Sequence, residues 1–220
     1  MPIFLTMDDI LRFVKAMYIF NGTNNLIYRD VKDLSYGKIE ELRGEPIIDI
    51  GAWCLMDNHI HLLVRERVKD GISKFMSRLM TAYAKYFNAK NERSGVLFES
   101  RFKSRHIDDS LYRDYLFAYI NLNPVKKSEP EWKKDGILNI SGAKMIMENY
   151  YQCSYYDYVI GERKESVILN KDAFPKHWND IKSFETMAYI LSSNMDDKDL
   201  EKTEKSSARS DTHLKKQDEK

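Results

Sequence analysis

The sequence contains little cysteine and no long apolar run. Its only two cysteines, Cys54 and Cys153, lie far apart and form no CxxC motif. This spacing suggests neither a disulfide framework nor a zinc–thiolate site, and it favours a reducing, cytoplasmic location. No run of about 18 apolar residues occurs, and no basic segment followed by a short apolar one opens the chain. We therefore expect neither export nor an interaction with membranes.

The charge of the chain is nearly balanced in total but uneven along its length. The 220 residues carry a formal net charge of +1. Between Arg65 and Lys127, however, there are fourteen lysines and arginines against seven aspartates and glutamates. This basic middle third suits a polyanionic partner, although a merely solvated surface would have the same composition.

The pattern of apolar residues predicts both helices and strands. Apolar side chains at helical spacing predict helices over about 7–20, 71–90, 109–123 and 178–192. The run IIDIGAWCL, the turn MDN and the segment HIHLLVRE predict a β-hairpin. The segment VLFESRFKSRHI is expected to be extended, and residues 26–45 to form a loop with a short helix.

The stretch MDNHIHLLV places two histidines within the second predicted strand. Successive side chains of a strand point to opposite faces, so His59 and His61 share one face while the apolar residues beside them occupy the other. Two imidazoles on one face can converge on a single cation. A histidine pair on the polar face of a half-exposed strand is also common without any function, so the pair by itself leaves both interpretations open.

The third predicted helix contributes two more polar side chains. In AYINLNPVKK, Tyr119 and Asn123 are four residues apart and so lie on one helix face, immediately before Pro124. One amide oxygen and two imidazole nitrogens form a ligand set that suits Mg²⁺ or Mn²⁺. The chain has 14 tyrosines, and most tyrosines serve as core or surface rings. Tyr119 alone therefore does not identify a nucleophile.

Four separated segments together resemble the single-tyrosine HUH transposases, especially their REP-associated branch. The segments are AWCLMDNHIHLLV, YAKYFN, RSGVLFESRFKS and YLFAYINLNPVKK, and the resemblance covers roughly residues 3–127. It implies that His59, His61 and Asn123 bind a divalent metal, Mg²⁺ or Mn²⁺, and that Tyr119 attacks DNA. The substrate implied is single-stranded DNA folded into hairpins, which is cut and rejoined through a 5′-phosphotyrosine intermediate.

The same resemblance implies a fold for residues 1–127, and the composition of the later residues suggests how the rest of the chain is organised. The fold is α+β, with a ferredoxin-like antiparallel sheet and helices on one face, as in HUH nucleases. We expect a catalytic domain over 1–127, a helical accessory C-terminal region over 128–195 and a disordered charged tail over 196–220. Compared with the family pattern, the first strand is expected to be missing, which would leave one strand edge unpaired. Asp57 replaces the usual proline before the histidines.

Three basic residues are candidates for contacts with DNA. Arg101, Lys103 and Arg105 alternate along the extended segment, so they are expected to share a face that follows the phosphates. An edge strand protected from association by its charges is the alternative interpretation.

Two further hypotheses compete with an active transposase. The missing strand motivates a truncated or domesticated protein that binds structured single strands without cutting them. A metal-dependent hydrolase, in which the histidine pair activates water, is the third hypothesis, but the usual additional histidine or aspartate cluster is lacking. The DNA target stays open, as does whether the tyrosine acts within its own subunit or across a homodimer.

Overall fold

Eight α-helices and two β-strands follow one another within residues 1–193, which are the residues that the computed structural model describes. In chain order they are α1 (Met7–Phe20), α2 (Tyr28–Val31), α3 (Tyr36–Arg43), β1 (Ile48–Leu55), β2 (Ile60–Glu66), α4 (Gly71–Lys90), α5 (Ser110–Leu122), α6 (Trp132–Asp135), α7 (Ile140–Asn149) and α8 (Phe184–Ser193). Short 3₁₀ turns and one π turn connect the later helices. The tail over 196–220, expected to be disordered, lies outside the described residues.

The strands β1 and β2 form an antiparallel hairpin, which is the only sheet in the described part of the chain. The β-branched and apolar residues of β1 favour an extended backbone. The turn is closed by the Met56 N–H, which donates to the His59 carbonyl at 2.8 Å. The predicted hairpin and the α+β class with an antiparallel sheet are thereby confirmed.

Each face of the hairpin is covered by its own apolar cluster. Trp53 and Leu55 point into a cluster formed with α1 and α4. Ala52 and Cys54 point the other way, into a cluster formed with α5 and the C-terminal helices. Fully burying one large apolar side chain contributes about 1.5–3 kcal/mol, so each layer adds substantially to stability.

The helices therefore lie on both faces of the sheet. The family resemblance places helices on one face, and α1 and α4 occupy that face. The second face is covered as well because all eight residues of β1 are buried, and an apolar strand face exposed to water would cost free energy. The helix on this second face is α5, which carries Tyr119.

The predicted helices are present, with two changes at their ends. The first two long helices, α1 and α4, have the predicted bounds. The third ends at Leu122, and a 3₁₀ turn then runs over Asn123–Lys127. Proline fits the first positions of a helical turn, where its missing N–H is not needed, so Pro124 is accommodated near the start of this turn and does not end the helical path. The last helix, α8, starts at Phe184, later than expected.

No helix among residues 1–193 has the length and apolar character needed to cross a membrane.

The segment VLFESRFKSRHI, expected to be a strand, pairs with no strand in the described part of the chain. Its central residues are mostly charged, so it offers little apolar surface to offset the entropy of ordering it against the sheet. Arg101, Lys103 and Arg105 consequently lie in an irregular segment rather than on one face of a strand.

The outer edge of β1 is covered by the C-terminal region. The Leu55 N–H donates to the Gln152 carbonyl at 2.9 Å, and the Ser154 N–H donates to the Trp53 carbonyl at 2.8 Å. The region expected to be accessory thus supplies backbone hydrogen bonds to the central strand. The free edge of β2, by contrast, has no strand partner within residues 1–193.

A buried arginine fastens this C-terminal region. The Arg163 guanidinium donates to both carboxylate oxygens of Asp157, at 2.9 and 2.8 Å, and to the Cys153 carbonyl at 2.9 Å. The Arg163 and Asp157 side chains are only 5% and 0% exposed. A buried pair of this kind is costly to break on one side, because the remaining charge is left unpaired.

A buried aspartate joins the start of α1 to the end of α4. The Asp9 carboxylate accepts hydrogen bonds from the Thr6 N–H at 3.0 Å and the Tyr86 hydroxyl at 2.8 Å, and it pairs with the Lys90 ammonium at 2.6 Å. Burial raises the pKa of Asp9. The hydrogen bonds, led by that from Lys90, lower this pKa by more than burial raises it, so the pKa lies below its ordinary value.

We predict that Asp9→Asn lowers the free energy of unfolding by roughly 1–3 kcal/mol at pH 7, because the buried side chain loses its charge-assisted hydrogen bonds with the Thr6 N–H and the Tyr86 hydroxyl. A carboxyl whose pKa is lowered by folding contributes its full stability above the unfolded pKa of about 3.9 and loses it as the pH falls through the folded value. Urea unfolding of both proteins between pH 2 and 7 should therefore show the difference shrinking in acid. Asp8→Asn, an exposed change in the same turn, is the control, and an equal loss from both variants would contradict this role.

Candidate active site

Two histidines at the start of β2, His59 just before the strand and His61 within it, have ring nitrogens that converge. The Nε2 atoms of His59 and His61 are 3.1 Å apart. The His59 Nδ1 lies 2.6 Å from the Asn58 side-chain oxygen. An amide oxygen can only accept a hydrogen bond, so Nδ1 carries the proton and Nε2 keeps its lone pair. Asn58 thus orients His59 with its free nitrogen toward His61.

The surroundings of His61 favour its neutral form. Burial lowers the pKa of His61 to about 3, and the ammonium groups of Lys133 and Lys126, like His59 when it is protonated, act in the same direction. Neutral imidazole is the form that binds metals, since its lone pair is available.

Tyr119 lies directly beside this histidine pair. Its ring meets the His61 ring edge to face, with centroids 5.7 Å apart and an interplanar angle of 78°. The residue is 7% exposed. Burial raises the pKa of Tyr119, whereas the nearby Asn123 amide and the Lys126 charge lower it in part. The structure therefore brings together Tyr119, His59 and His61 within one chain.

A row of stacked rings holds Tyr119 in place. Along α5 the centroids of Tyr112, Tyr115 and Tyr119 are 6.0 Å apart at each step, and the Trp132 ring stacks beyond Tyr119 at 5.9 Å and 11°. Such stacking restricts the rotation of the Tyr119 ring. The sequence analysis did not identify this row, although the spacing of its three tyrosines, three and four residues, marks one helix face.

Asn123 lies one helical turn beyond Tyr119, at the first position of the 3₁₀ turn that follows α5. It is 2% exposed, and its side-chain nitrogen has no hydrogen-bond partner among the described residues. Buried polar atoms usually have partners, so this donor nitrogen is available to an acceptor outside the chain, whereas a cation would bind the amide oxygen instead. Its position beside Tyr119 matches the expected arrangement.

The residues present fit a divalent cation held by mixed nitrogen and oxygen ligands. Metal-bound imidazole nitrogens lie about 2.0–2.2 Å from the ion, so two such ligands at a right angle are about 3 Å apart. The distance between the two Nε2 atoms, 3.1 Å, agrees with this geometry. No group of three or more histidines, cysteines, aspartates or glutamates within residues 1–193 could hold a metal, so a third protein ligand would have to be of another type, such as the Asn123 amide.

Lysines from beyond α5 also border the site, and sequence reasoning missed their role. The Lys133 ammonium lies 4.5 Å from the centroid of the Tyr119 ring. The Lys127 ammonium pairs with the Asp57 carboxylate at 2.7 Å. The carboxylate expected near the histidines is therefore present but already has a cationic partner.

The three candidate DNA-binding residues are all exposed, and only one of them connects to the aromatic row. The Arg105 guanidinium donates to the Tyr112 hydroxyl at 2.7 Å and lies 4.4 Å from the centroid of that ring. Arg101 and Lys103 project from the irregular segment that precedes α5. Arg105 therefore stands at one end of the row whose other end is Trp132.

A family model described as transposase IS200-like matches residues 14–123, which is half of the chain. The chain belongs to the IS200-like transposase family. The matched residues of this transposase include both histidines, Tyr119 and Asn123. The match confirms the family that the four motifs indicated. Trp132 and Lys133 lie beyond the match. No curated protein and no solved structure matches the chain.

The environment of His61 leads to a prediction about its protonation. Because burial and the nearby Lys133 and Lys126 charges disfavour the protonated ring, we expect it to stay neutral until the pH falls to about 3. Nitrogen-15 NMR of the imidazole in the metal-free transposase measures this directly. The peptide MDNHIHLLV, in which both rings are solvated, is the reference and should titrate near the ordinary value of about 6.5.

The same shift has a consequence for stability. A histidine whose pKa is lowered by folding makes the unfolded chain bind more protons below about pH 6.5, so the protein loses stability as the pH falls from there. A titration midpoint of His61 equal to that in the peptide would contradict the enclosed site.

Proposed function

We propose that this transposase cuts and rejoins single-stranded DNA with Tyr119 as its nucleophile. We further propose that His59, His61 and Asn123 hold Mg²⁺ or Mn²⁺ in the same site. The observation that carries the proposal is the edge-to-face contact between the Tyr119 and His61 rings, beside two imidazole nitrogens 3.1 Å apart. A nucleophile and a metal-binding pair are thereby within reach of one phosphate.

The proposed reaction is a transesterification at phosphorus. The Tyr119 oxygen forms a bond to phosphorus as the bond from phosphorus to the 3′ oxygen breaks. The phenolic proton is lost from the tyrosine and the departing oxygen gains one, so the products are a 5′-phosphotyrosine and a free 3′-hydroxyl. Attack by another 3′-hydroxyl reverses the step, and strand transfer needs no ATP because one phosphodiester replaces another.

The residues of the site contribute chiefly by position. A bound divalent cation supplies charge that offsets the negative charge developing on a non-bridging phosphate oxygen. Asn58 fixes the orientation of His59, and burial keeps His61 neutral. The Tyr119 ring stacks with Tyr115 on one side and with Trp132 on the other. Because the ring is already held in place, less entropy is lost when substrate and nucleophile are aligned.

We propose that Arg101, Lys103 and Arg105 guide the strand toward the site. Exposed guanidinium and ammonium groups bind phosphates without sequence preference, and aromatic rings next to them can stack bases. Of the three residues, Arg105 has the strongest support for a role in DNA binding, because it contacts Tyr112 at the end of the aromatic row. Hairpin-forming DNA is the substrate that the family suggests, and the basic middle third of the chain suits it.

We also propose that the site is completed within a single subunit, so that a homodimer is not needed to join nucleophile and metal ligands. The support is that His61 and Tyr119 touch within one chain.

A cytoplasmic location is consistent with two cysteines that are both free thiols.

The nucleophile is tested with a 3′-labelled pool of single-stranded DNA that carries a fixed stem-loop and randomised flanks, in Mn²⁺, because a 5′-phosphotyrosine retains the 3′ part of the strand. The wild type should form a protein–DNA adduct that survives denaturing electrophoresis. Tyr119→Phe should reduce the adduct by at least about 10³-fold, because it removes the attacking oxygen and keeps the ring. Tyr115→Phe, the neighbouring ring of the same row, is the matched control and should retain the adduct.

The other outcomes distinguish the competing functions. An undiminished adduct with Tyr119→Phe would show that another residue is the nucleophile. Salt-sensitive DNA binding by the wild type without any adduct would favour a protein that binds single strands and does not cut them. Free cleavage products formed without Tyr119 would favour a metal-dependent hydrolase.

A further inference from the structure

Phe102 is the exception among the phenylalanines of this chain. Nine of the ten are buried in, or packed against, one of the two apolar clusters that cover the hairpin. Phe102 belongs to neither cluster and is 36% exposed. Burial of a ring of this size normally stabilises a fold, and the chain forgoes that gain at this position. Its ring is therefore open to a group outside the chain.

Phe102 lies in the middle of an exposed strap, residues 99–106. All eight residues of the strap are exposed, and none has regular secondary structure. Before the strap, Leu97 is buried in the cluster with α1 and α4, and after it Ile107 packs against the cluster with α5. The strap makes no backbone hydrogen bond to other backbone groups within the described part of the chain. It is thus anchored at both ends and open in between.

The charges of the strap suit a polyanion. It holds three lysine and arginine side chains, Arg101, Lys103 and Arg105, against the single carboxylate of Glu99. Arg101 and Lys103 directly flank Phe102, and neither pairs with a carboxylate in the part of the chain that the structure describes. A ring between two cations matches a single strand, in which charged phosphates accompany bases whose faces are open.

We propose that Phe102 stacks on an unpaired base of the DNA while Arg101 and Lys103 bind the phosphates beside that base. This inference rests on single-stranded DNA being the substrate, as in the proposed function, and adds to it a contact with a base. A ring stacks only on a base whose face is open, so the strap selects single strands over a duplex, in which neighbouring bases already cover each face. Because every base has such a face, the contact tolerates different sequences.

The alternative is that Phe102 is an ordinary exposed apolar residue, since single residues of this kind are common on protein surfaces. The two roles differ in what they require of the DNA. Stacking needs both the aromatic ring and a base, whereas the flanking cations need only the phosphates. A strand without bases therefore separates the two contributions.

Binding is measured with two single strands of equal length, oligothymidine and an abasic strand that keeps every phosphate. The full chain carries Tyr119→Phe, so that neither strand is cut. Adding Phe102→Leu should weaken binding of oligothymidine by about 10-fold, because it removes the stacking face and keeps an apolar side chain, and should leave binding of the abasic strand unchanged. Phe102→Trp should retain the oligothymidine affinity. Arg101→Met should weaken binding of both strands by the same factor.

Tyr189→Leu is the matched control, since Tyr189 is an exposed ring of α8, outside the strap, and its loss should change neither affinity. Equal losses for both strands with Phe102→Leu, no loss for oligothymidine, or no binding of either strand by the parent chain would overturn the inference. A wild-type adduct on hairpin DNA would still support the proposed function in each of these cases. A loss confined to oligothymidine, without any wild-type adduct, would support the inference and contradict the proposed cutting.

Discussion

The packing of α5 onto one face of the hairpin is the contact on which the candidate site depends. Ala52 and Cys54 present small, fully buried side chains on that face of β1, which lets the helix lie close to the sheet. Phe117 and Leu122 of α5 are equally buried in the same cluster. Because Tyr119 lies between these two residues, the depth of this packing sets its distance from His61. A bulkier residue at position 52 would move the helix outward and separate the nucleophile from the histidines.

The C-terminal region secures this contact from a third side. The Ser154 hydroxyl accepts a hydrogen bond from the Trp53 N–H at 2.9 Å and donates to the Asn121 side-chain oxygen at 2.7 Å. One buried serine therefore joins β1 to α5. Trp132, from the same region, stacks on Tyr119. Residues beyond the part of the chain matched by the IS200-like family thus contact both the strand and the helix that carry the site. The C-terminal region is therefore part of the structure that positions the site.

The central parts of the site could be predicted because short-range geometry determines them. Alternation along a strand places His59 and His61 on one face, and a spacing of four residues places Tyr119 and Asn123 on one face of a helix. Both relations hold whatever surrounds the strand or the helix. The order of motifs then linked the two elements, which are about sixty residues apart.

The remaining features depend on long-range contacts that leave no periodic signal. The backbone pairing of Cys54 in β1 with Cys153, both of which are free thiols, joins positions about a hundred residues apart, and the sequence around Cys153 has no alternation that predicts a strand partner. Lys133 lies in a four-residue helix whose position is set by the stacking of Trp132. The charged segment before α5 looked extended from its alternation, yet it finds no strand partner within residues 1–193, because alternation alone cannot supply an apolar surface.

The central claim is that one chain brings nucleophile and histidine pair together, and a mixing experiment tests it most directly. A chain carrying Tyr119→Phe and a large tag, with its histidines intact, is combined with an untagged chain carrying His59→Ala and His61→Ala, with its tyrosine intact. The account predicts no DNA adduct on either chain, while tagged and untagged wild-type chains each form one. An adduct on the untagged chain would mean that the histidines of one subunit serve the tyrosine of another, and would contradict the account.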